Sequence, residues 1–236
     1  MQHITTIIAT FANIWFYFHM HILLRLVSAG EPTNQADVAL LQYPLRIKDI
    51  GHEQAVNDLE YYQSRSSGPT TAGFFTGDSS YSIAWLRLGN RTAADLQFGL
   101  AFEHMDVHNG FNVWIEKSKG SKGYPGNLNF ITGAGGYLQN YLYGYVGIVL
   151  AERFISFNPI LPPNGITKVG IRNITFHDKK FSFSYDVSKD VHITYEYAKD
   201  MKSALKVTDA DGVLHTLFPG RSIDLKNNVG KTLRIE

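Results

Sequence analysis

The hydrophobic period of this chain changes once, near Pro159, and no other feature limits its fold as much. From Gln35 to Arg153 apolar residues recur at helical spacing. Beyond Pro159, Phe181, Phe183 and Tyr185 alternate with Ser182, Ser184 and Asp186, and Val191, Ile193, Tyr195 and Tyr197 alternate with polar residues. Helices repeat every 3.6 residues and strands every two, so helices followed by strands place the chain in the α+β class. The two alternating runs, joined by a short polar turn, predict an antiparallel hairpin with one buried face. Leu161-Pro162-Pro163-Asn164-Gly165 is a stiff loop at the change, and Asp209-Ala210-Asp211-Gly212 and Pro219-Gly220 mark later turns. The expected division is an apolar segment over 1–30, a helical part over 31–158 and a β-sandwich-like domain over 159–236.

Within the helical part, Glu53–Gln63 fits a short helix, and the breaker cluster Ser64–Gly73 comes after it. Asp78-Ser79-Ser80 offers capping oxygens ahead of a helix over Tyr81–Leu88, which Gly89 stops. Thr92 is placed to cap a helix over Ala93–Met105, with Leu96, Leu100, Phe98 and Phe102 on neighbouring rows. After Thr132 a further helix carries Tyr137, Tyr141, Tyr145 and Leu138, Leu142, Val146 as two adjacent i,i+4 rows. Gly136, Asn140, Gly144 and Gly147 fall on another side, where small residues permit close approach of a second backbone. So broad a stripe belongs to a multi-helix assembly. If part of that assembly is missing, some of the stripe stays uncovered.

With 236 residues the chain can bury a proper core, and 18% charged residues against 44% hydrophobic ones describe an ordinary globular balance. A net charge of +1 supplies no field for a phosphate backbone, so no nucleic-acid partner is expected. There are no cysteines, which rules out disulfides, thiolate nucleophiles and cysteine metal sites. Ile4–Phe18 is apolar, and Val27-Ser28-Ala29 resembles a small-residue cleavage site. No Lys or Arg precedes the run, and His19, His21 and Arg25 interrupt its continuation. Residues 1–29 read either as a signal or anchor, giving a secretory route, or as a segment foreign to the fold, giving a cytoplasmic protein. Membrane association is expected only through this segment. The sequons at Asn90 and Asn173 would be used only on the secretory route.

The chemistry concentrates in Gly110–Tyr145. Glu116 comes after Phe111 and Trp114 and precedes a Gly/Lys/Ser loop; beyond the loop a glycine turn, Gly133–Gly136, opens the aromatic helix. A carboxylate beside aromatic rings can accept a proton against a sugar, yet the same residue can simply end a strand before an exposed loop. Asp37 can touch a substrate or cap a helix. His104 and His108 have the i,i+4 spacing of a helical zinc pair but lack the metalloprotease pattern, and no metal or cofactor is expected. The glycine turn misses the dinucleotide spacing and has no phosphate-loop lysine. No Gly-x-Ser-x-Gly elbow is present.

Four ordered motifs carry a resemblance: Gln35–Leu45 (QADVALLQYPL), Gly110–Glu116 (GFNVWIE), Asn129–Gln139 (NFITGAGGYLQ) and Phe157–Pro163 (FNPILPP). In this order they resemble the C-terminal portion of glycoside hydrolase family 65, in its acid-trehalase-like, protein-glucosylgalactosylhydroxylysine glucosidase branch. The resemblance implies part of an (α/α)6 toroid followed by a small antiparallel β domain. It also implies an inverting mechanism on α-glucosides such as glucosyl-galactosyl-hydroxylysine, trehalose or kojibiose. Glu116 takes the position of the general base, Gln35 that of a glutamine on the glucose ring, and Trp114, Gly135 and Gly136 line the substrate. Asn129–Gly136 lacks the histidine of the phosphorylase loop, which favours water as nucleophile. Two departures stand against it. Asn34 replaces the usual Lys, and the general acid lies on a toroid segment that this chain lacks, where Met1–Glu31 bears no resemblance. The resemblance thus implies an enzyme fragment, with a non-catalytic carbohydrate-binding or interaction protein as the alternative.

Overall fold

The computed structural model describes residues 38–66, 75–117, 124, 126–200 and 202–236. Four helices come first: α1 (Val38–Gln42), α2 (His52–Ser66), α3 (Phe75–Arg87) and α4 (Arg91–Leu100). A 3-10 turn over Ala101–His104 leads into a hairpin of β1 (Met105–His108) and β2 (Phe111–Trp114), and α5 (Ile131–Gln139) runs on into a π-helical stretch, Asn140–Tyr145. No helix among the described residues is long and apolar enough to cross a membrane. The apolar segment over 1–30 lies outside them.

Local chemistry explains the helix ends. Ala55, Leu59 and Tyr62 make the buried face of α2, and Glu53 in its first turn complements the positive end of the helix. Gly89 (φ 80°) closes α3, with its N–H on Leu86 O and the Asn90 N–H on Trp85 O. Those two bonds form a Schellman motif. Asn90 then opens α4 by accepting the Ala93 N–H at 3.0 Å. Two sequence expectations fail here. Asp78–Ser80 lie inside α3, which starts a turn and a half earlier than Tyr81, and Asn90 rather than Thr92 caps α4. Helix α4 also stops at Leu100, short of Met105.

The aromatic stripe of α5 is broken by the π-helical stretch. There the Val146 N–H reaches Tyr141 O, five residues back, which turns the later side chains relative to an α-helix. Tyr137 and Tyr145 are consequently buried, Tyr141 and Leu142 half-buried, and Leu138 is 64% exposed. The small residues on the other side do what their size permits. A Cβ on Gly144 would stand 3.1 Å from Leu86 and 3.5 Å from Ile83, so α3 packs almost against the backbone.

The strands form two larger antiparallel sheets. Four strands run in the order β10 (Arg221–Leu225), β7 (Val191–Ala198), β6 (Lys179–Asp186), β5 (Lys168–Phe176). Five run in the order β3 (Val149–Leu150), β4 (Ile155–Phe157), β11 (Leu233–Ile235), β8 (Leu205–Thr208), β9 (Leu214–Leu217). The β layer therefore draws in two short strands ahead of Pro159. As alternation predicts, Phe181, Phe183, Tyr185, Val191, Ile193 and Tyr195 share one buried face, packed with Phe157, Val207, Leu233 and Ile235 of the other sheet. The Phe157 and Phe183 rings stack at 4.2 Å. Helical and β parts meet through Tyr185, whose hydroxyl donates to Tyr145 O (3.2 Å) and Ile160 O (3.1 Å). Burial pushes that hydroxyl's pKa well above the ordinary tyrosine value.

Candidate functional site

Strand β2 pairs with β1 in strict antiparallel register, His108 opposite Phe111 and Met105 opposite Trp114, around Asn109 (φ 53°) and Gly110 (φ 80°). The two left-handed residues suit a tight hairpin. Beyond Trp114 the extended chain continues: Ile115 bridges Leu128, and its N–H donates to His104 O at 2.8 Å. Ile115 is fully buried, and its neighbours Trp114 and Glu116 fall on the opposite face by strand alternation.

Trp114 is fixed by rings. Its indole lies 4.8 Å from Tyr137 and 6.2 Å from Phe102, and Phe98 stacks on Tyr137 at 5.2 Å. Tyr141 and Tyr145 complete the cluster, meeting Phe98 edge-on at 5.3 and 5.0 Å. The Tyr145 hydroxyl is pushed above the usual range, first by burial and then by its bond to Asp95 (2.7 Å). Burial and the 3.2 Å contact with Tyr141 do the same for Tyr137. Both raised phenols stay neutral near pH 7, so the wall is apolar in character with a few hydroxyl edges. The Phe130 N–H donates to Trp114 O at 2.8 Å and ties the start of α5 to the strand that bears Glu116.

Glu116 is partly exposed. Its Oε2 accepts two bonds from Asn127, from N–H at 3.0 Å and from Nδ2 at 2.8 Å, and its own N–H donates to Asn127 O at 3.0 Å. Gly126 (φ 69°) makes the turn, and a Cβ there would stand 2.9 Å from Glu116 Oε2. One carboxylate oxygen is thereby anchored. No hydrogen bond among the described residues engages Oε1.

The other sequence candidates are not gathered around Glu116 in the same way. Gln35, Asp37 and the Lys/Gly/Ser loop over 118–123 lie outside the described residues. Gly133–Gly136 is not a turn preceding a helix but part of α5 itself; a Cβ on Gly135 would meet nothing within 4 Å. His104 closes a 3-10 turn and His108 ends a strand, so the two do not share a helix and the zinc-pair geometry is lost. Sequence reasoning misses Asn127 and Gly126; the one signal for them is the turn-forming dipeptide Pro125-Gly126. A cavity of about 440 Å³ lies elsewhere, lined by Tyr43, Pro44, Arg46, Gln139, Tyr143 and Leu150, and a second of about 340 Å³ lies over the four-stranded sheet. Neither is lined by Glu116.

Known proteins sharpen this picture. The chain is 32% identical over 164 residues to a protein-glucosylgalactosylhydroxylysine glucosidase of Gallus gallus, a match that spans 69% of this chain and 22% of that one. It is 35% identical over 141 residues to a kojibiose hydrolase of Mucilaginibacter mallensis, covering 59% and 18% of the two. Among solved structures, a putative kojibiose phosphorylase from the human microbiome matches with a TM-score of 0.55 at 17% identity, over 83% of this chain and 23% of that one. No protein-family model matches. The chain is a homologue of glycosidases. More particularly, it is a relative of the glycoside hydrolase family 65 group that includes protein-glucosylgalactosylhydroxylysine glucosidases, kojibiose hydrolases and acid trehalases. It spans between about a fifth and a third of the length of the glucosidase relatives it matches, 22% to 30%.

Proposed function

We propose that this chain is the C-terminal part of an inverting α-glucoside hydrolase, with Glu116 as the carboxylate that activates water. The observation that carries this reading is the state of Glu116 itself. Asn127 holds Oε2 with two donors, and no hydrogen bond among the described residues engages Oε1, beside a strand whose preceding aromatic, Trp114, is locked against Tyr137. A general base needs that combination of fixed orientation and a free lone pair. Inversion requires a second carboxyl group, about 6.5–9.5 Å away, to protonate the leaving oxygen while water attacks from the opposite face. In this proposal that acid belongs to the remaining toroid, as do the helices against which the helical part would close, while 159–236, with the two short strands over 149–157, forms the β domain.

The exposed apolar side chains support the same reading. Ile131 (82%), Phe111 (73%) and Leu138 (64%) are exposed on α5 and the hairpin, apolar surface that a covering toroid would bury. A Cβ on Gly135 would meet nothing within 4 Å, which leaves room beside it for a ligand. By the family resemblance, Gln35, Trp114, Gly135 and Gly136 are proposed to contact the sugar. Glucosyl-galactosyl-hydroxylysine and the disaccharides kojibiose and trehalose are the proposed substrates, by analogy with the names of the relatives. The second reading, a non-catalytic carbohydrate-binding protein of the same descent, is favoured by Asn34 standing where the family carries Lys.

Azide rescue separates the two. In a protein completed with the toroid of a relative, Glu116→Ala should lose about 10²–10⁴-fold in hydrolysis, because water then attacks without a base. Azide needs no deprotonation, so it should restore cleavage and yield β-glucosyl azide. Hydrolysis unaffected by the substitution would end the base assignment.

A further inference from the structure

The outer face of the four-stranded sheet carries a trough that the catalytic role of Glu116 does not use. Its floor is set by register. Gly170, Ser184, His192 and Asp224 lie opposite one another across β5, β6, β7 and β10, and Ser182, Thr194 and Ser222 form the next row. The other face of these strands is the apolar core, so polar residues are required here; short ones are not. A solvated face over central strands is ordinarily covered by long side chains. Here Gly170, Ser182 and Ser184 leave a depression of about 340 Å³, at the low end of the ~300–1,000 Å³ of small-molecule sites. A Cβ on Gly170 would already stand 3.4 Å from the Ser184 Cβ and begin to fill it.

The polar groups of the trough are ordered. His192 Nδ1 and Asp224 Oδ1 are 2.6 Å apart, His192 Nε2 and Thr194 Oγ1 3.0 Å, and Thr194 Oγ1 and Ser222 Oγ 3.0 Å. With Nδ1 donating to the carboxylate, the chain of bonds runs from Ser222 through Thr194 to the imidazole, leaving Ser222 Oγ lone pairs free. Ser182 donates to Glu196, which also lies 4.0 Å from Lys180. Lys168 and Arg172 line it on the β5 side and Glu196 on the β7 side, while Asp224 stands beyond His192 on β10. Cations facing a carboxylate, with His192, Thr194 and two serine hydroxyls between them, suit a neutral ligand that both donates and accepts. Strands β6 and β7 under the His192 and Thr194 side chains are paired on both sides, and at the β5 bulge the Asn173 N–H donates to Ser182 Oγ at 3.4 Å; the Asp–His–Thr series is not read as a nucleophilic triad.

We propose that this trough binds a neutral, hydroxyl-rich ligand, a carbohydrate, as a second sugar site remote from Glu116. The inference stands on the sheet geometry and not on the assignment of Glu116. With no aromatic platform on its floor, the site has an affinity on the order of 1 mM, held by hydrogen bonds exchanged with water.

The test is an NMR titration of the 236-residue chain with kojibiose and, separately, with inorganic phosphate. Kojibiose should shift the His192 ring protons and the amides of Ser184, Thr194 and Ser222 saturably, and phosphate should not. Gly170→Val and Ser184→Tyr, each filling the trough, should weaken binding at least about tenfold while the remaining amide spectrum stays native. Glu116→Gln should leave it unchanged. The proposal is overturned by shifts with phosphate alone, by no shifts with kojibiose, by kojibiose shifts that survive both filling substitutions, or by their loss in Glu116→Gln.

Discussion

Asn127 holds Glu116 by one oxygen: backbone N–H and side-chain Nδ2 both donate to Oε2, at 3.0 and 2.8 Å. The pair is eleven residues apart and is brought together by the bridge between Ile115 and Leu128. Because the pair is solvent-accessible, its contribution to stability is small. Its consequence is positional.

Asn127→Ala should therefore separate position from stability. It deletes the Nδ2 donor and leaves the backbone bond, so the folded state should lose no more than about 0.5–1.5 kcal/mol in urea titration. In a toroid-completed protein, kcat should fall about tenfold with KM little changed, since only the orientation of the carboxylate is lost. A rise in KM alone would assign Asn127 to ground-state sugar binding.

Gly126→Ala should do more damage than an ordinary turn substitution. Its φ of 69° disfavours any side chain, and the new Cβ would press on Glu116 from 2.9 Å. Gly165 has a similar φ of 75° but open surroundings, so Gly165→Ala isolates the backbone cost, about 1–2 kcal/mol. Denaturant midpoints should rank Gly126→Ala below Gly165→Ala. Equal midpoints would mean that Glu116 yields freely and is not held.

Much of this fold is legible in sequence, because burial and period coincide where one face of a strand is covered. Phe181, Phe183 and Tyr185 alternate and are buried as alternation requires. The helix rows of Tyr137, Tyr141 and Tyr145 are legible only up to Asn140, because a π-helical stretch carries no compositional mark and displaces the later side chains by one residue. Asp78–Ser80 look like a cap because their oxygens suit one, yet the helix begins earlier. Glu116 is visible through its aromatic neighbours. Its partner Asn127 is not, since a loop contact depends on how residues across a turn meet and not on a period.

The stacked pair Phe157 and Phe183 should hold the two sheets together. Both are essentially fully buried. Phe157→Ala should cost about 3–5 kcal/mol, measured by denaturant unfolding of the β part. It should also loosen the helical part, since a Cβ on Gly147 would stand only 2.5 Å from Asn158 O, next in the chain to Phe157. Loss confined to one part would show that the two unfold independently.

Acid should weaken the turn before β9. Asp209 is held below the ordinary carboxylate pKa, first by its bond to His215 (2.8 Å) and then by the N–H groups of Val213 and Asp211. A carboxyl depressed in the folded state stabilises above its unfolded value, near 3.8, and that contribution is lost as pH falls through the lower folded value. Asp209→Asn should lower stability at neutral pH and flatten the acid limb below about pH 4. An unchanged acid limb would remove Asp209 from the account.

The most direct measurement tracks product anomer and rate together by proton NMR, with kojibiose and with glucosyl-galactosyl-hydroxylysine. The 236-residue chain alone should release no glucose above background. Completed with the toroid of a relative, it should release β-glucose first from at least one of them, and Glu116→Gln should abolish that release, because an amide cannot take the proton of the attacking water. Glu116-dependent release by the 236-residue chain alone, or α-glucose as the first product, would contradict the proposal that Glu116 is the base of an inverting pair whose acid lies elsewhere.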